Sequence, residues 1–182
     1  MFAAYESPLP ALSDLNPIKY GYQDCPPNHK SGNLRKFSLI HYVVKGKGKL
    51  FKYGKEYSIT AGNAFFIPAN ENAYYQADTD DPWSYVWIGF DGALASDFKT
   101  LPAVFEYGGT IFEQVRDTAM LDNPNKIKIT ANLFMLHEEL IKNVPKDIPF
   151  INNVKGMINA GDFMTDMSVD SIAKVAHVSP QY

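Results

Sequence analysis

Cysteine is nearly absent from the 182-residue chain: Cys25 is the only one. No internal disulfide can form, a thiolate zinc site would lack its partners, and a reducing compartment is implied. Nor is there any excess of positive charge. Seventeen Lys and Arg stand against 20 Asp and Glu, a formal net charge of -3. Nucleic-acid affinity comes largely from neutralising phosphates, so the chain as it stands is not expected to bind DNA. Long apolar runs are missing too: nothing approaches the roughly 18 residues of a membrane span. Residues 1–15 also lack a basic segment followed by an apolar one. A soluble, cytoplasmic protein with no membrane partner is the expectation. No Gly-rich phosphate loop, internal repeat or low-complexity tract is present either.

What the chain does have is aromatic side chains, 14% of its residues, within a composition that is 46% hydrophobic and 20% charged. That is enough apolar material for one sizeable core, and aromatic and β-branched residues suit pleated, half-buried surfaces. Short apolar runs separated by turn signals fill the chain up to about Asp91: Ile18 to Asp24, Phe37 to Val44, Gly48 to Tyr53, Glu56 to Thr60, Ala64 to Ile67, Ala73 to Gln76 and Trp83 to Phe90. This rhythm predicts a β-sandwich or barrel whose hairpins turn at Gly46, Gly54 and Gly62.

Past Gly92 the period lengthens from two to about 3.6 residues, which predicts helices over Thr110 to Met120 and Lys126 to Val144. In the second, Ile129, Leu133, Leu136 and Leu140 are spaced 4, 3 and 4 apart. Such a stripe serves either as the seam of a helix pair across a homodimer or as cover for the barrel. Pro145 and Pro149 then break the helix, and the segment reads as a linker. The expected organisation is an arm over residues 1–17, a barrel over 18–92, a helical dimerisation region over 93–145, and a linker with a further helical fragment over 146–182.

In that last fragment Ser168 can cap a helix whose apolar face holds Val169, Ile172, Ala173 and Ala176. His177 and Val178 close a short turn, Ser179 can cap a new helix and Pro180 suits its first position. The run from Ser168 to Tyr182 resembles the opening of the first helix-turn-helix of AraC/XylS-family transcriptional regulators. The resemblance implies that Ser168, Ile172, Ala173, Ala176, Ser179 and Pro180 belong to a DNA-binding motif whose second helix has only begun at Tyr182. A motif truncated in this way would leave DNA binding to a longer, full-length protein.

The barrel region carries resemblances of its own. Gly62-Asn63-Ala64-Phe65-Phe66-Ile67-Pro68 matches the Gly-to-Pro spacing of the second cupin motif, and the first can be laid on His41, Val43, Lys47 and Gly54. Where metal-binding cupins place a histidine after that proline, this sequence has Ala73. Only His41 remains of four usual ligands, and one imidazole cannot hold a transition metal against water, so no metal or other cofactor is expected. The runs Leu39 to Gly48 and Asp81 to Phe90 resemble the effector domain of AraC-type regulators, especially those of raffinose and multiple-sugar metabolism. The fold so implied is α+β, a cupin-like double-stranded β-helix (jelly-roll) barrel followed by α-helices.

Along the last run Trp83, Tyr85 and Trp87 alternate with Ser84, Val86 and Ile88, so the three aromatics share one strand face. If inward, that face offers stacking surfaces with polar tips, which suit the apolar faces and hydroxyls of a sugar; plain core is the alternative. The resemblance assigns sugar contacts to Tyr85, Trp87, Tyr75 and an arginine before the first long strand, for which Arg35 stands. It also allows the arm to fold over the pocket, with Asn16 and its neighbours closing the site. His41 reads either as a ligand contact or as a hydrogen-bonded core histidine.

Asp78, Asp80 and Asp81 lie in a Thr79/Pro82 turn where solvated aspartates are common, and His29, His137 and His177 have no metal-motif spacing. The reading that results is a non-enzymatic, effector-sensing and dimerising part of a carbohydrate-utilisation regulator, bound to a mono- or oligosaccharide. Its rivals are a metal-independent cupin enzyme acting on a sugar through His41 and tyrosines, and a ligand-free dimerisation module.

Overall fold

Alternating side chains and left-handed turns generate two antiparallel sheets. The computed structural model describes residues 2–6, 12–32, 34–120 and 126–141. The motif at Ser168, Ile172, Ala173, Ala176, Ser179 and Pro180 therefore lies outside the described residues. Among the described residues ten strands run in chain order: β1 Phe2–Glu6, β2 Asn16–Asp24, β3 Lys30–Ser31, β4 Ser38–Lys45, β5 Lys47–Lys52, β6 Lys55–Thr60, β7 Asn63–Ile67, β8 Ala73–Ala77, β9 Ser84–Asp91 and β10 Val104–Glu106. The large sheet has the order β1-β2-β9-β4-β7-β10 and the small one β3-β8-β5-β6. Together they form the jelly-roll barrel of an α+β, cupin-like fold. All seven apolar runs set off by turn signals are strands; β1, β3 and β10 are additions, and β1 turns part of the expected arm into an edge of the large sheet.

The turns follow from backbone chemistry. Lys52 pairs with Lys55, so Tyr53 and Gly54 form a two-residue hairpin loop, and their φ values of 55° and 72° put both in the left-handed region that a type I′ turn requires. Tyr53 bears that conformation with its hydroxyl donating to Glu71, which also pairs with the buried Lys52 ammonium at 3.2 Å.

The large sheet is covered on both faces. Its inner face gives Leu39, Val43, Phe65 and Tyr85 to a core shared with Leu50, Ile59 and Tyr75 of the small sheet. Its outer face gives Tyr20, Ile40, Phe66, Ile88 and Phe90 to a second core closed by helices. Strand β9 lies in the middle of this arrangement, which explains why its sequence is nearly continuously apolar.

The covering helices are a 3-10 helix at Ala93–Thr100, α1 at Ile111–Ala119 and α2 at Lys126–Ile141. In α2, Ile129, Leu133 and Leu136 are each 0% exposed, and Leu140 packs against the same cluster. The stripe offered as a seam between two copies is thus taken up inside the chain, where it covers the sheet. The physical reason is that the outer face of β2 and β9 is itself apolar and must be buried first. On the opposite side of α2, Ile127, Phe134 and Met135 remain 75%, 38% and 48% exposed. No helix among the described residues is long and apolar enough to cross a membrane.

Candidate ligand-binding site

Strand alternation sends Leu39 and His41 from β4, Tyr85 and Trp87 from β9, and Tyr75 from β8 to the inner side of the barrel, where they border a cavity of about 270 Å³. Lys19 and Gln23 of β2, Ser31 of β3, Phe37 and Arg35 complete the wall, and Phe2 from β1 reaches its rim. Gly21, between Lys19 and Gln23, leaves room for the indole: a side-chain carbon there would lie 3.0 Å from Trp87 Cζ2. A wider surface groove of about 460 Å³ beside the Tyr53–Gly54 turn holds none of the residues expected to contact a ligand.

Five of those residues, Arg35, His41, Tyr75, Tyr85 and Trp87, stand around this one cavity. Asn16 is placed elsewhere, at the start of β2, where its amide donates to Asp91 Oδ1 at 2.8 Å. The cavity contributors not foreseen are Phe2, Lys19, Gln23, Ser31, Phe37 and Leu39. Four were within reach of the same argument: Phe37 and Leu39 share His41's parity, and Lys19 and Gln23 lie four residues apart on one strand. Trp83 lies deeper, fully buried against Phe65 with ring centroids 5.9 Å apart. It packs where Gly48 has no side chain, since a carbon there would meet the indole at 2.5 Å.

His41 forms the floor. It is 1% exposed, stacks on Phe65 at 4.4 Å, and meets the edges of Tyr75 and Tyr85 at 4.8 and 4.9 Å. Burial, reinforced by the Arg35 guanidinium, holds its pKa well below the usual imidazole value. The ring is therefore neutral at pH 7, with one nitrogen donating and one accepting. Its Nδ1 is buried without a hydrogen-bond partner, a condition that costs about 1–3 kcal/mol unless a ligand or water group meets it.

The phenols are held as donors. Burial raises the pKa values of Tyr75 and Tyr85 above the ordinary phenol range, so both keep their protons. Tyr85 donates to Gln23 Oε1 at 3.1 Å, and Gln23 Nε2 lies 3.4 Å from His29 Nε2, which fixes which end of the amide faces the phenol. Burial also pushes the Cys25 thiol up to about 11, so it is no nucleophile at neutral pH.

Of the other positions that the cupin motifs would give to metal ligands, two carry Val43 and Ala73, both buried in the core around His41, and the third carries Lys47, whose ammonium lies 4.0 Å from Asp78 Oδ1. Among the described residues no group of three His, Cys, Asp or Glu side chains lies close enough to hold a metal ion. What the cavity presents is aromatic faces, phenol, amide and hydroxyl groups, and two cations from Lys19 and Arg35. This is equipment for recognising a small polar molecule with apolar faces.

A jelly roll with helices packed on its outer sheet and a polar-aromatic cavity inside its barrel is a cupin-type small-molecule-binding domain. Residues 16–150 match the AraC-like ligand binding domain family, and the chain belongs to that family. It is 27% identical to the Msm operon regulatory protein of Streptococcus mutans, over 93% of this chain and 68% of that protein. It is 37% identical to the raffinose operon transcriptional regulatory protein of Pediococcus pentosaceus, over 44% of this chain and 30% of that one. With the lactose operon transcription activator of Staphylococcus xylosus the identity is 21%, over 78% of this chain and 58% of its relative. The chain thus spans between about a third and two thirds of the length of these regulators.

Proposed function

We propose that the barrel senses a neutral mono- or oligosaccharide, and that its occupancy controls a cytoplasmic transcriptional regulator of carbohydrate-utilisation genes. The observation that carries this reading is the convergence of Trp87, Tyr85, Tyr75, His41 and Arg35 on one interior cavity. Relatives named for the raffinose and lactose operons support it. In this reading Trp87 offers its ring to the apolar face of a pyranose, Tyr75 donates to a hydroxyl, Tyr85, whose proton Gln23 holds, accepts from one, and His41 accepts from another while Arg35 donates at the mouth. Phe2, on β1, closes the rim. The domain performs no chemistry: a neutral buried imidazole and strongly held phenolic protons make poor partners for acid–base catalysis. DNA binding belongs to the longer protein.

The chain acts as a homodimer, with the outer stripe of α2, Ile127, Ala131 and Phe134, as the pairing surface. These positions repeat the 4 and 3 spacing of a helix seam on the side away from the sheet.

The decisive experiment is thermal melting and tryptophan fluorescence of the 182-residue chain against a panel containing raffinose, lactose and their component sugars. A ligand at 100 times its dissociation constant stabilises the folded state by about 2.7 kcal/mol. A selective rise in Tm with one saccharide group, weakened at least about tenfold in affinity by Trp87→Ala, supports the reading. Affinity untouched by Trp87→Ala would place the site elsewhere.

A further inference from the structure

Asn16 is one of the buried polar groups, among the described residues, that the cavity does not employ. It is 7% exposed and opens β2 directly opposite Asp91, the last residue of β9. Its Nδ2 donates to Asp91 Oδ1 at 2.8 Å. Its Oδ1 accepts from the Leu12 backbone N–H at 3.3 Å and from Lys126 Nζ at 3.4 Å. Lys126 is the first residue of α2 and is itself only 8% exposed. Beside this point the N–H groups of Ala93 and Leu94 donate to the Ser13 and Asp14 carbonyls at 2.9 and 3.0 Å. Gly92, at φ 113°, presses so close that a side-chain carbon would lie 2.2 Å from the Asp14 carbonyl oxygen. The segment entering β2, the end of β9, the start of the 3-10 helix and the head of α2 all meet at one amide.

The two strands that meet there are cavity strands. β2 brings Lys19 and Gln23 to the wall and β9 brings Tyr85 and Trp87, and they are paired from Asn16↔Asp91 to Asp24↔Ser84 with a register shift between Pro17 and Lys19. We propose that Asn16 is a positioning residue that couples the ligand cavity to the first turn of α2, resting on the reading of that cavity as the effector site. A change in how β2 lies against β9 displaces the Asn16 amide. The buried Lys126 ammonium cannot lose an acceptor without a desolvation penalty. The head of α2 therefore follows the amide, or exchanges it for another arrangement, and the ligand biases one of the two. Asp91 holds one end of the link and Lys126 the other, so replacing Lys126 severs it without touching the cavity.

The test is a double-mutant cycle on the whole 182-residue chain, with Trp87→Ala as a cavity perturbation that needs no ligand. Hydrogen exchange of the α2 amides is followed in the parent, Trp87→Ala, Lys126→Met and the double variant. Lys126→Met keeps the aliphatic packing and removes the donor; Asn16→Ala provides a second cycle should the first variant fold poorly. Trp87→Ala is expected to change α2 exchange about fivefold in the parent background and less than about twofold beside Lys126→Met. Equal effects in both backgrounds, or no effect of Trp87→Ala on α2, would overturn the coupling. Raffinose and lactose affinities are measured on the same proteins by the rise in Tm with sugar concentration. Lack of binding by the parent contradicts the saccharide reading alone, whereas coupling stands or falls on the cycle.

Discussion

At the scale of single residues, His41 concentrates the physical tension of the site. It is fully buried beside Arg35, Tyr75 and Tyr85, and its depressed pKa makes folding sensitive to pH. At pH 7 the imidazole is neutral in the folded state and mostly neutral in the unfolded one. As the pH falls through the ordinary value of 6.5, the unfolded chain takes up a proton that the folded one refuses, so stability drops with acidification. The limiting slope is about 1.4 kcal/mol per pH unit. Melting at pH 7.5 and 5.5 should therefore show a loss in the parent that is smaller in His41→Gln. Asp24, whose carboxylate is held low by hydrogen bonds from Ser84 and Tyr22, titrates well below this window and does not confuse it. An equal loss in both proteins would mean that the ring is not held neutral.

The residues around His41 were partly legible before any fold was known. Tyr85 and Trp87 follow from period-two alternation, and Arg35 and Tyr75 came from family resemblance. Lys19 and Gln23 share a visible parity but reach the wall only because β2 pairs with β9, and Ser31 was not foreseen because its place depends on β3 lying next to β8, a long-range pairing that no local pattern encodes. Lys52 escaped for a similar reason. A charged residue in a strand reads as solvated, yet this one is 5% exposed and donates to the Phe66 carbonyl at 3.2 Å.

At the scale of elements, strands with their own turn signals were readable, while those defined by a partner were not. β10 has three residues and exists because it pairs with β7, and β1 is an edge added to β2. The apolar stripe of α2 was visible, but its partner was not: periodicity says that a face is buried and leaves open against what. The packing makes two predictions. Leu133→Ala, at a site with 0% exposure, should destabilise the chain by about 2–5 kcal/mol, seen as a lower urea midpoint. An effect below about 1 kcal/mol would mean that α2 is not packed on the sheet. Gly48→Ala should also lower the midpoint, because the added carbon has no room beside the Trp83 indole, 2.5 Å away.

At the scale of the whole molecule, the barrel is proposed to sense and α2 to carry its output. The outer stripe of α2 predicts a dimer in sedimentation at micromolar concentration, shifted towards monomer by Phe134→Lys without loss of Tm. A wild-type monomer, or a dimer indifferent to Phe134→Lys, would remove that surface from the scheme. Whether the cavity holds a saccharide is decided by titrating raffinose and lactose into the chain and following its two tryptophans. Trp87 on the wall should report binding and Trp83 in the core should stay silent. A saccharide site gives a saturable fluorescence change with one of these sugars or its component units, abolished in Trp87→Ala and retained in a Trp83→Phe variant. A saturable change that persists in Trp87→Ala, or no change and no Tm shift with any sugar, would contradict it.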